Sequence, residues 1–305
     1  MDLAATLAPL HNFFLIVSFV FGALVGSFAN VCIGRWPHGE SVISPRSRCP
    51  KCKSLIAWHD NIPMLSWLLL RARCRNCGLP ISWQYPAVEF ITGLLFLLVF
   101  WRFGFAAASP IYMGICAALV IVTFQDLTDW TIPNEITFPG IFLGPACALI
   151  GMTMPETSGL RVTDPLDALA GLFLGGAILY SLDRITVLLL KKPGMGFGDV
   201  KLLAMLGAFL GWWGVLFIVM FASIIGTIAG GLTIFYFRNK ADSPGEETAE
   251  SDTREEDADG ISLQGHYLPF GPYLALAGLL YLFVGPEMIQ WYIATLTPAP
   301  LDAAL

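Results

Sequence analysis

The sequence predicts an all-α polytopic membrane protein with about eight transmembrane helices and a cytoplasmic zinc-binding loop domain. Of its residues, 56% are hydrophobic and 13% are charged, and the mean hydropathy is +0.68. Apolar runs long enough to cross a bilayer recur along the chain. Basic residues are concentrated in one segment between the first two runs. These observations exclude an ordinary soluble domain.

Eight apolar runs define the candidate spans. They cover about 12–34, 84–103, 109–126, 134–152, 165–190, 199–212, 213–237 and 268–294. The sixth run is short and ends near Gly211, so it is either a partial span or part of one span with the seventh. Before the first run, positions 1–11 contain no Lys or Arg, so they lack the basic start of a secretory signal peptide.

The basic residues predict the orientation of the chain. Segment 34–83 contains eight Lys and Arg residues against Glu40 and Asp60. A loop this basic stays in the cytoplasm, so the N-terminus lies outside and an even number of spans returns the C-terminus outside. Counting spans from the N-terminus places Asp126 and Asp199 at the cytoplasmic boundary, although 73 positions separate them.

Four cysteines form two Cys-x-x-Cys pairs separated by 21 residues: Cys49, Cys52, Cys74 and Cys77. This spacing is at the long end of the range for a four-thiolate zinc site, and nearby Lys and Arg favour the thiolate form. Disulfides are the alternative, but the cytoplasm is reducing. Four sulfurs close a tetrahedron, so we expect a structural zinc ion that helps a loop with little core to fold.

Asp126 and Asp199 are carboxylates at the ends of apolar runs, where an ionisable group is costly and usually functional. Two such carboxylates brought together could share a proton and hydrolyse a peptide bond. Asp129 lies three positions after Asp126, on the same face of a continued helix, and chemistry alone does not choose between them. We interpret Asp129 as a solvated turn residue.

Asp199 also has a structural interpretation, since Asp is favoured at a helix N-cap. Gly196 and Gly198 precede it, and glycines there would let an extended substrate strand approach the backbone, so both are candidate substrate-binding residues. Glu89, near the start of the second run, has two equally weighted interpretations: a residue that binds substrate or a methyl donor, and the acid of a helix first turn.

The segment 238–265 is acidic, with nine Asp and Glu residues before Ile261. It cannot bury enough apolar surface to fold alone, so we predict a solvated, disordered cytoplasmic loop. A tail that docks a partner is the less favoured interpretation.

Several motifs resemble those of bacterial prepilin peptidases, which are leader peptidases and N-methyltransferases of type IV pilus and type II secretion systems. The resemblance covers the chain from about Gly22 to about Gly278. Its motifs are Asp126 six residues before Ile132-Pro133-Asn134, then Gly196-Phe197-Gly198-Asp199, the N-terminal Gly26-Ser27-Phe28-Ala29-Asn30, the paired Cys-x-x-Cys motifs, Tyr85-Pro86-Ala87-Val88-Glu89, and Pro269-Phe270-Gly271-Pro272. Ala29 and Ala72 depart from the residues common in the family, and neither position is catalytic.

The resemblance implies aspartyl proteolysis by Asp126 and Asp199 at the cytoplasmic face of the bacterial inner membrane. Implied substrates are prepilins or pseudopilins, and S-adenosylmethionine is the implied methyl donor. The donor-binding residues cannot be identified, because the sequence contains no Gly-rich strand–turn–helix fingerprint; Gly26 to Asn30, the zinc loop and Glu89 are the candidates from the resemblance. We expect the bilayer and pilus or type II secretion machinery as partners, and no nucleic acid.

The predicted organisation has five parts. They are a first transmembrane helix (1–34), a zinc loop associated with methyl transfer (35–83), a transmembrane peptidase core (84–237), the acidic loop (238–265) and a last helix with its tail (266–305). Three alternatives remain. They are a peptidase without methyltransferase activity, a non-enzymatic scaffold that docks a secretion partner through the zinc loop, and a proton-coupled transporter, which should show repeated halves with interrupted helices.

Overall fold

The computed structural model describes residues 3–154, 157–191, 195–241 and 269–296. Within these ranges the chain forms eight α-helices and two short 3-10 helices, Trp36–His38 and Trp58–Asn61, and its only β-pairing consists of two isolated bridges. The α-helices are α1 Leu3–Arg35, α2 Leu65–Leu69, α3 Gln84–Phe103, α4 Ala108–Asp129, α5 Asn134–Thr153, α6 Pro165–Leu190, α7 Phe197–Ala241 and α8 Gly271–Leu296. The all-α class predicted from the sequence is confirmed.

Seven stretches of the described helices are long and apolar enough to cross a membrane: all the α-helices except the short α2 contribute one. The sequence predicted about eight spans, and the difference lies in α7. The sixth and seventh apolar runs of the sequence both lie in α7, Phe197–Ala241. This helix is broken by non-helical backbone at Gly211. The residue has φ 73° and ψ 178°, a conformation that only glycine adopts readily.

The break at Gly211 reverses the direction of the chain. The first part of α7 runs antiparallel to α6, since Leu203 lies against Gly175 and Gly207 against Gly171. Beyond the break, Val215 returns to contact Gly207, whereas residues eight apart on a straight helix would be separated by about 12 Å. The backbone N–H of Trp212, at the start of the second part, donates to Asp167 Oδ1 (3.2 Å).

The second part of α7 runs antiparallel to α8. Gly214 faces Tyr281 at one end of this pair, and Gly226 faces Tyr273 at the other. Because α8 begins beside Asp126, the second part of α7 returns to the level of the aspartates. The two parts therefore cross the helical bundle in opposite directions, which places the short sixth run and the seventh run in separate passes.

Small residues let several helices pack closely. A Cβ atom added to Gly171 would lie 2.2 Å from the carbonyl oxygen of Gly207, and one added to Gly26 would lie 2.7 Å from the Cα of Glu89. In membranes, small residues at helix interfaces let the two backbones approach closely, and the resulting van der Waals contacts stabilise the helix pair. They hold α6 against α7, and α1 against α3.

The buried core lies among α4, α7 and α8. Tyr112, Leu119, Leu203, Leu206 and Leu274 are each no more than 1% exposed. The core ends at the level of Asp126 and Asp199, which are also buried. Of the predicted acidic loop (238–265), positions 242–265 lie outside the described residues, as does the predicted C-terminal tail beyond Leu296.

Candidate active site and cysteine cluster

Asp126 and Asp199 come together at one end of the bundle. Asp126 lies in the last turn of α4 and Asp199 in the first turn of α7; they are 6% and 8% exposed. The two carboxylates are close enough to interact electrostatically. Proximity between two buried carboxylates makes it costly for both to be ionised at once, which is the arrangement used to share a proton.

Backbone groups from two further segments complete this site. The N–H of Gly271, the first residue of α8, donates to Asp126 Oδ2 (3.1 Å). The N–H of Asp199 donates to the carbonyl oxygen of Gly196 (3.1 Å). Within the described residues, Asp199 Oδ1 is buried without a hydrogen-bond partner. That oxygen is consequently available to hold a proton, a water molecule or a substrate N–H.

Ile132 lies between the two aspartate segments. A Cβ atom on Gly198 would be 3.0 Å from Ile132 Cβ, and one on Gly271 would be 3.3 Å from Ile132 Cδ1. The same Cβ on Gly271 would lie 2.5 Å from Asp126 Oδ2. Gly198 and Gly271 are thus required for close packing at the site. By contrast, Gly196 is exposed and its Cβ would make only ordinary contacts.

Asp129 lies at the end of α4, where its Oδ2 accepts a hydrogen bond from Thr128 Oγ1 (2.7 Å) and its side chain is only partly buried. The helix ends immediately afterwards, because Trp130 adopts the left-handed conformation (φ 56°). Asp129 therefore lies at the turn that ends α4 and is less buried than Asp126 and Asp199.

Two polar features at this site escaped the sequence reasoning. Gln125 is 2% exposed and donates through Nε2 to Thr131 Oγ1 (3.2 Å). Lys201 donates to Asn134 Oδ1 and lies over the rings of Phe138 (5.4 Å) and Phe197 (5.6 Å). This lysine joins the start of α5 to the start of α7. Nothing in the sequence pattern pairs positions 67 residues apart.

The four cysteines of segment 35–83 form one cluster. The sulfur atoms of Cys49, Cys52, Cys74 and Cys77 all lie within 4.8 Å of one another, and none of these cysteines forms a disulfide. Sulfurs bound to one zinc ion at about 2.3 Å are roughly 3.8 Å apart, so this cluster has the size of a four-thiolate site. The cysteine spacing had predicted this grouping.

The backbone around the cluster is duplicated. The N–H of Cys49 donates to Ser54 O and that of Cys74 to Leu79 O, both at 2.9 Å, and each turn is closed by an isolated bridge, Arg48 with Leu55 and Arg73 with Pro80. The sequence contains the same repeat: Arg48-Cys49 with Ile56 and Trp58 recurs 25 positions later as Arg73-Cys74 with Ile81 and Trp83. The two turns, Arg48–Leu55 and Arg73–Pro80, are called knuckles below, and each supplies two sulfurs to the cluster.

Hydrogen bonds prepare the thiols for metal. The Ser54 side chain lies 2.9 Å from Cys52 Sγ, and its hydrogen bond lowers the pKa of Cys52 to about 6. Backbone N–H groups of Cys77 and Asn76 lower the pKa of Cys74. Because the thiolate is the metal-binding form, these hydrogen bonds favour Cys52 and Cys74 as metal ligands.

Glu89 connects this loop to the helices. Its Oε2 accepts a hydrogen bond from the N–H of Met64 (2.7 Å), a residue held at φ 59°, and its side chain also pairs with Ser27 of α1. Nearby, Asn30 Nδ2 donates to Tyr85 O (3.0 Å). Glu89 is 8% exposed and lies on the second turn of α3. It therefore fixes the loop against α1 and α3.

Fold and site together define a multi-pass membrane protein with a buried pair of aspartates and a four-cysteine loop. Two family models match the chain: the bacterial peptidase A24 N-terminal domain over residues 20–103 and the type IV leader peptidase family over residues 113–231. The chain belongs to the type IV leader peptidase family. The first match covers the cysteine loop, and the second covers both aspartates.

Curated relatives extend over nearly the whole chain, and each is named prepilin leader peptidase/N-methyltransferase. The protein of Myxococcus xanthus is 37% identical, with 91% of each chain covered. That of Aeromonas hydrophila is 34% identical, covering 90% of this chain and 92% of the relative. That of Pseudomonas aeruginosa is 31% identical, covering 92% and 93%. No solved structure matches the chain significantly.

Proposed function

We propose that this protein cleaves the leader peptides of prepilins or pseudopilins and then methylates the new N-terminus with S-adenosylmethionine. The names of its relatives support both activities. The observation that carries the proteolytic part is the meeting of Asp126 and Asp199, which are distant in sequence, at one buried site. Burying ionisable groups at a membrane boundary costs free energy, so such groups are found mainly where they serve a function.

Asp126 and Asp199 act as a general acid–base pair. One carboxyl is protonated and the other ionised, because like charges this close resist simultaneous ionisation. The ionised group takes a proton from the attacking water, and the protonated group polarises the scissile carbonyl and later donates to the leaving amine. The proton belongs to the pair, so the pH–rate profile reports two macroscopic pKa values.

The surroundings of the pair are suited to an extended peptide. Asp199 Oδ1 has no partner among the described residues, and Gly196 next to it is exposed. A substrate backbone can approach Gly196 without meeting a side chain. The Gly271 N–H holds Asp126 from the other side. Substrate binding by Gly196 is therefore part of the proposal, whereas Gly198 acts through its packing against Ile132.

The cysteine cluster holds a structural zinc ion. Cys49, Cys52, Cys74 and Cys77 are the ligands, which leaves no open coordination position for a reacting water. A bound zinc ion supplies the loop with folding free energy. Aspartyl proteolysis requires no metal, and no step of it passes through this site.

The protein lies in the bacterial inner membrane with the aspartates, the zinc loop and the acidic loop facing the cytoplasm. The basic segment 34–83 supports this orientation. The reversal at Gly211 supports this orientation, because counting α7 as two passes brings both aspartates and the start of α8 to one face. Pilus or type II secretion machinery supplies the substrates, whose apolar helices remain in the bilayer while their leaders stay in the cytoplasm.

The test uses purified protein in detergent or nanodiscs and a full-length prepilin, with and without S-adenosylmethionine. Cleavage is expected in both conditions and methylation of the mature N-terminus only with the donor. Absence of cleavage by a folded, zinc-containing preparation would contradict the peptidase proposal. Cleavage without methylation would support the alternative of a peptidase that lacks transferase activity.

A further inference from the structure

Two neighbouring cavities share a wall beside the zinc knuckles. The knuckle cavity, of about 370 Å³, is bounded by both cysteine turns and contains apolar side chains, Leu55, Ile62, Trp67, Leu70 and Ile81 among them. The helix cavity, of about 360 Å³, extends from the end of α1 and includes Ser27, Gly34, Arg35 and His38. The shared residues are Arg48, Pro50, Ile56, Asn61, Tyr85 and Glu89.

We propose that the knuckle cavity binds the adenosyl methyl donor, that the helix cavity receives the peptide amine, and that the methyl group passes between them beside Glu89. This inference rests on the methyltransferase part of the proposed function. It assigns the two substrates of that reaction to separate residues of this chain.

The knuckle cavity fits an adenosyl compound in size and lining. Ligand pockets are typically roughly 300–1,000 Å³ in volume, mainly apolar, with a few fixed polar groups. Here the apolar walls include the Trp67 ring, fixed by its Nε1 donating to Ile81 O (3.3 Å). Asp60 is the fixed polar group on this wall: Arg75 donates to both its oxygens at 2.7 Å and lowers its pKa.

The helix cavity is more polar and opens from the membrane-facing helix α1. Arg35 donates to Ser41 O (2.8 Å) and Arg48 to Glu40 Oε2 (2.9 Å), so these cations are held in place. Lys53 also lines the cavity. Glu40 and Glu89 line the same cavity, so it offers charges of both signs that can orient a polar peptide N-terminus.

Glu89 stands where the two cavities meet. The Glu89 carboxylate is engaged by the Met64 N–H and by Ser27, and a carboxylate retains further lone pairs for the N–H of an incoming amine. In the reaction the amine nitrogen attacks the donor methyl carbon. The carbon–sulfur bond breaks with its electron pair on sulfur, and the methylated ammonium gives one proton to water. Glu89 orients the amine and takes no proton.

Two substitutions test the cavities separately. Ala57 is exposed and lines the knuckle cavity but not the helix cavity, so Ala57→Trp should obstruct donor binding. Gly34 lines only the helix cavity, and a Cβ there meets nothing within 4 Å, so Gly34→Phe should obstruct the amine without a backbone clash. Matched controls are Ile43→Trp, on an exposed residue of a third cavity, and Gly114→Phe, at an equally open glycine of α4.

Binding is measured first, by isothermal titration of S-adenosylhomocysteine and sinefungin, with zinc content and thermal midpoint as folding checks. Ala57→Trp is expected to weaken binding about tenfold or more, and Gly34→Phe and both controls to leave it unchanged. Methylation of a mature pilin peptide is then measured. Gly34→Phe should raise the KM for the peptide about tenfold at an unchanged KM for S-adenosylmethionine.

Two outcomes would overturn this assignment: normal S-adenosylhomocysteine binding by folded Ala57→Trp, or a raised donor KM with an unchanged peptide KM in Gly34→Phe. Glu89→Gln provides a further check, since it preserves the hydrogen bond from Met64; it should lower kcat while S-adenosylhomocysteine binding persists. If the unsubstituted protein neither binds these probes nor methylates, the proposed function itself fails. If the unsubstituted protein binds the probes and methylates, and Ala57→Trp and Gly34→Phe do so equally well, only the cavity assignment fails.

Discussion

At the scale of single residues, the two aspartates differ from every other acid near them in burial. Asp126 and Asp199 are each less than 10% exposed, whereas Asp129 is hydrogen-bonded to Thr128 at the helix end. We expect Asp126→Asn and Asp199→Asn each to reduce cleavage about 10²–10⁴-fold, because each removes a titratable group at nearly constant shape. Cleavage of a prepilin by purified variants measures the effect.

Asp129→Asn is the matched control and should retain most of the activity. All three variants should keep the thermal midpoint of the parent within a few degrees. An inactive Asp129→Asn beside an active Asp126→Asn would reverse the assignment of the first catalytic residue. Inhibitors directed at serine or cysteine nucleophiles should have little effect, since no such nucleophile belongs to the proposed site.

Gly271 allows a second test at this scale. A Cβ atom there would lie 2.5 Å from Asp126 Oδ2, so Gly271→Ala must displace the carboxylate. Displacements of about 1 Å at a catalytic group can cost about 10²-fold in rate, and we expect a loss of kcat of that order. Gly278→Ala on the same helix meets only the Leu206 side chain at 3.2 Å and should cleave nearly normally. Equal rates for the two variants would contradict the geometry.

At the scale of elements, the two knuckles form one metal site only if both fold. We expect close to one zinc ion per purified chain, measured by metal analysis, and its loss when any of Cys49, Cys52, Cys74 or Cys77 is replaced by serine. Cys147→Ser, on α5, is the control and should keep its zinc. A metal-free preparation whose loop resists proteolysis as well as the parent would contradict a structural zinc.

The elements also show what could be predicted from the sequence. The apolar runs gave the helices closely, and Asp164, whose Oδ1 accepts from the Leu166 N–H (2.9 Å), marks the start of α6 with Pro165. These are local signals. The pairing of Lys201 with Asn134 and the shape of the two cavities could not be predicted, because they depend on how distant segments pack. The repeat of the two cysteine turns, by contrast, is a local signal that can be read from the sequence.

At the scale of the whole molecule, the reversal at Gly211 matters most. A helix of 45 residues would be about 68 Å long, far more than a bilayer needs. The sequence indicated two runs there but could not decide between a partial span and a fused one. Backbone conformation decides it: φ 73° at Gly211 turns the chain, and contacts of Val215 with Gly207 place the second part beside the first.

Under the proposed function the molecule carries two chemistries at separate sites, and this separation is testable. The aspartates lie on α4 and α7, whereas Glu89 and the knuckles lie on α3 and the loop before it. Because function resides in sites rather than in the fold, we expect Asp126→Asn and Asp199→Asn to methylate a mature pilin peptide supplied already cleaved. Mass spectrometry should detect the gain of one methyl group. If folded Asp variants lost methylation as well, the two reactions would have to share one site, and the separation of the zinc loop from the aspartate pair would be wrong.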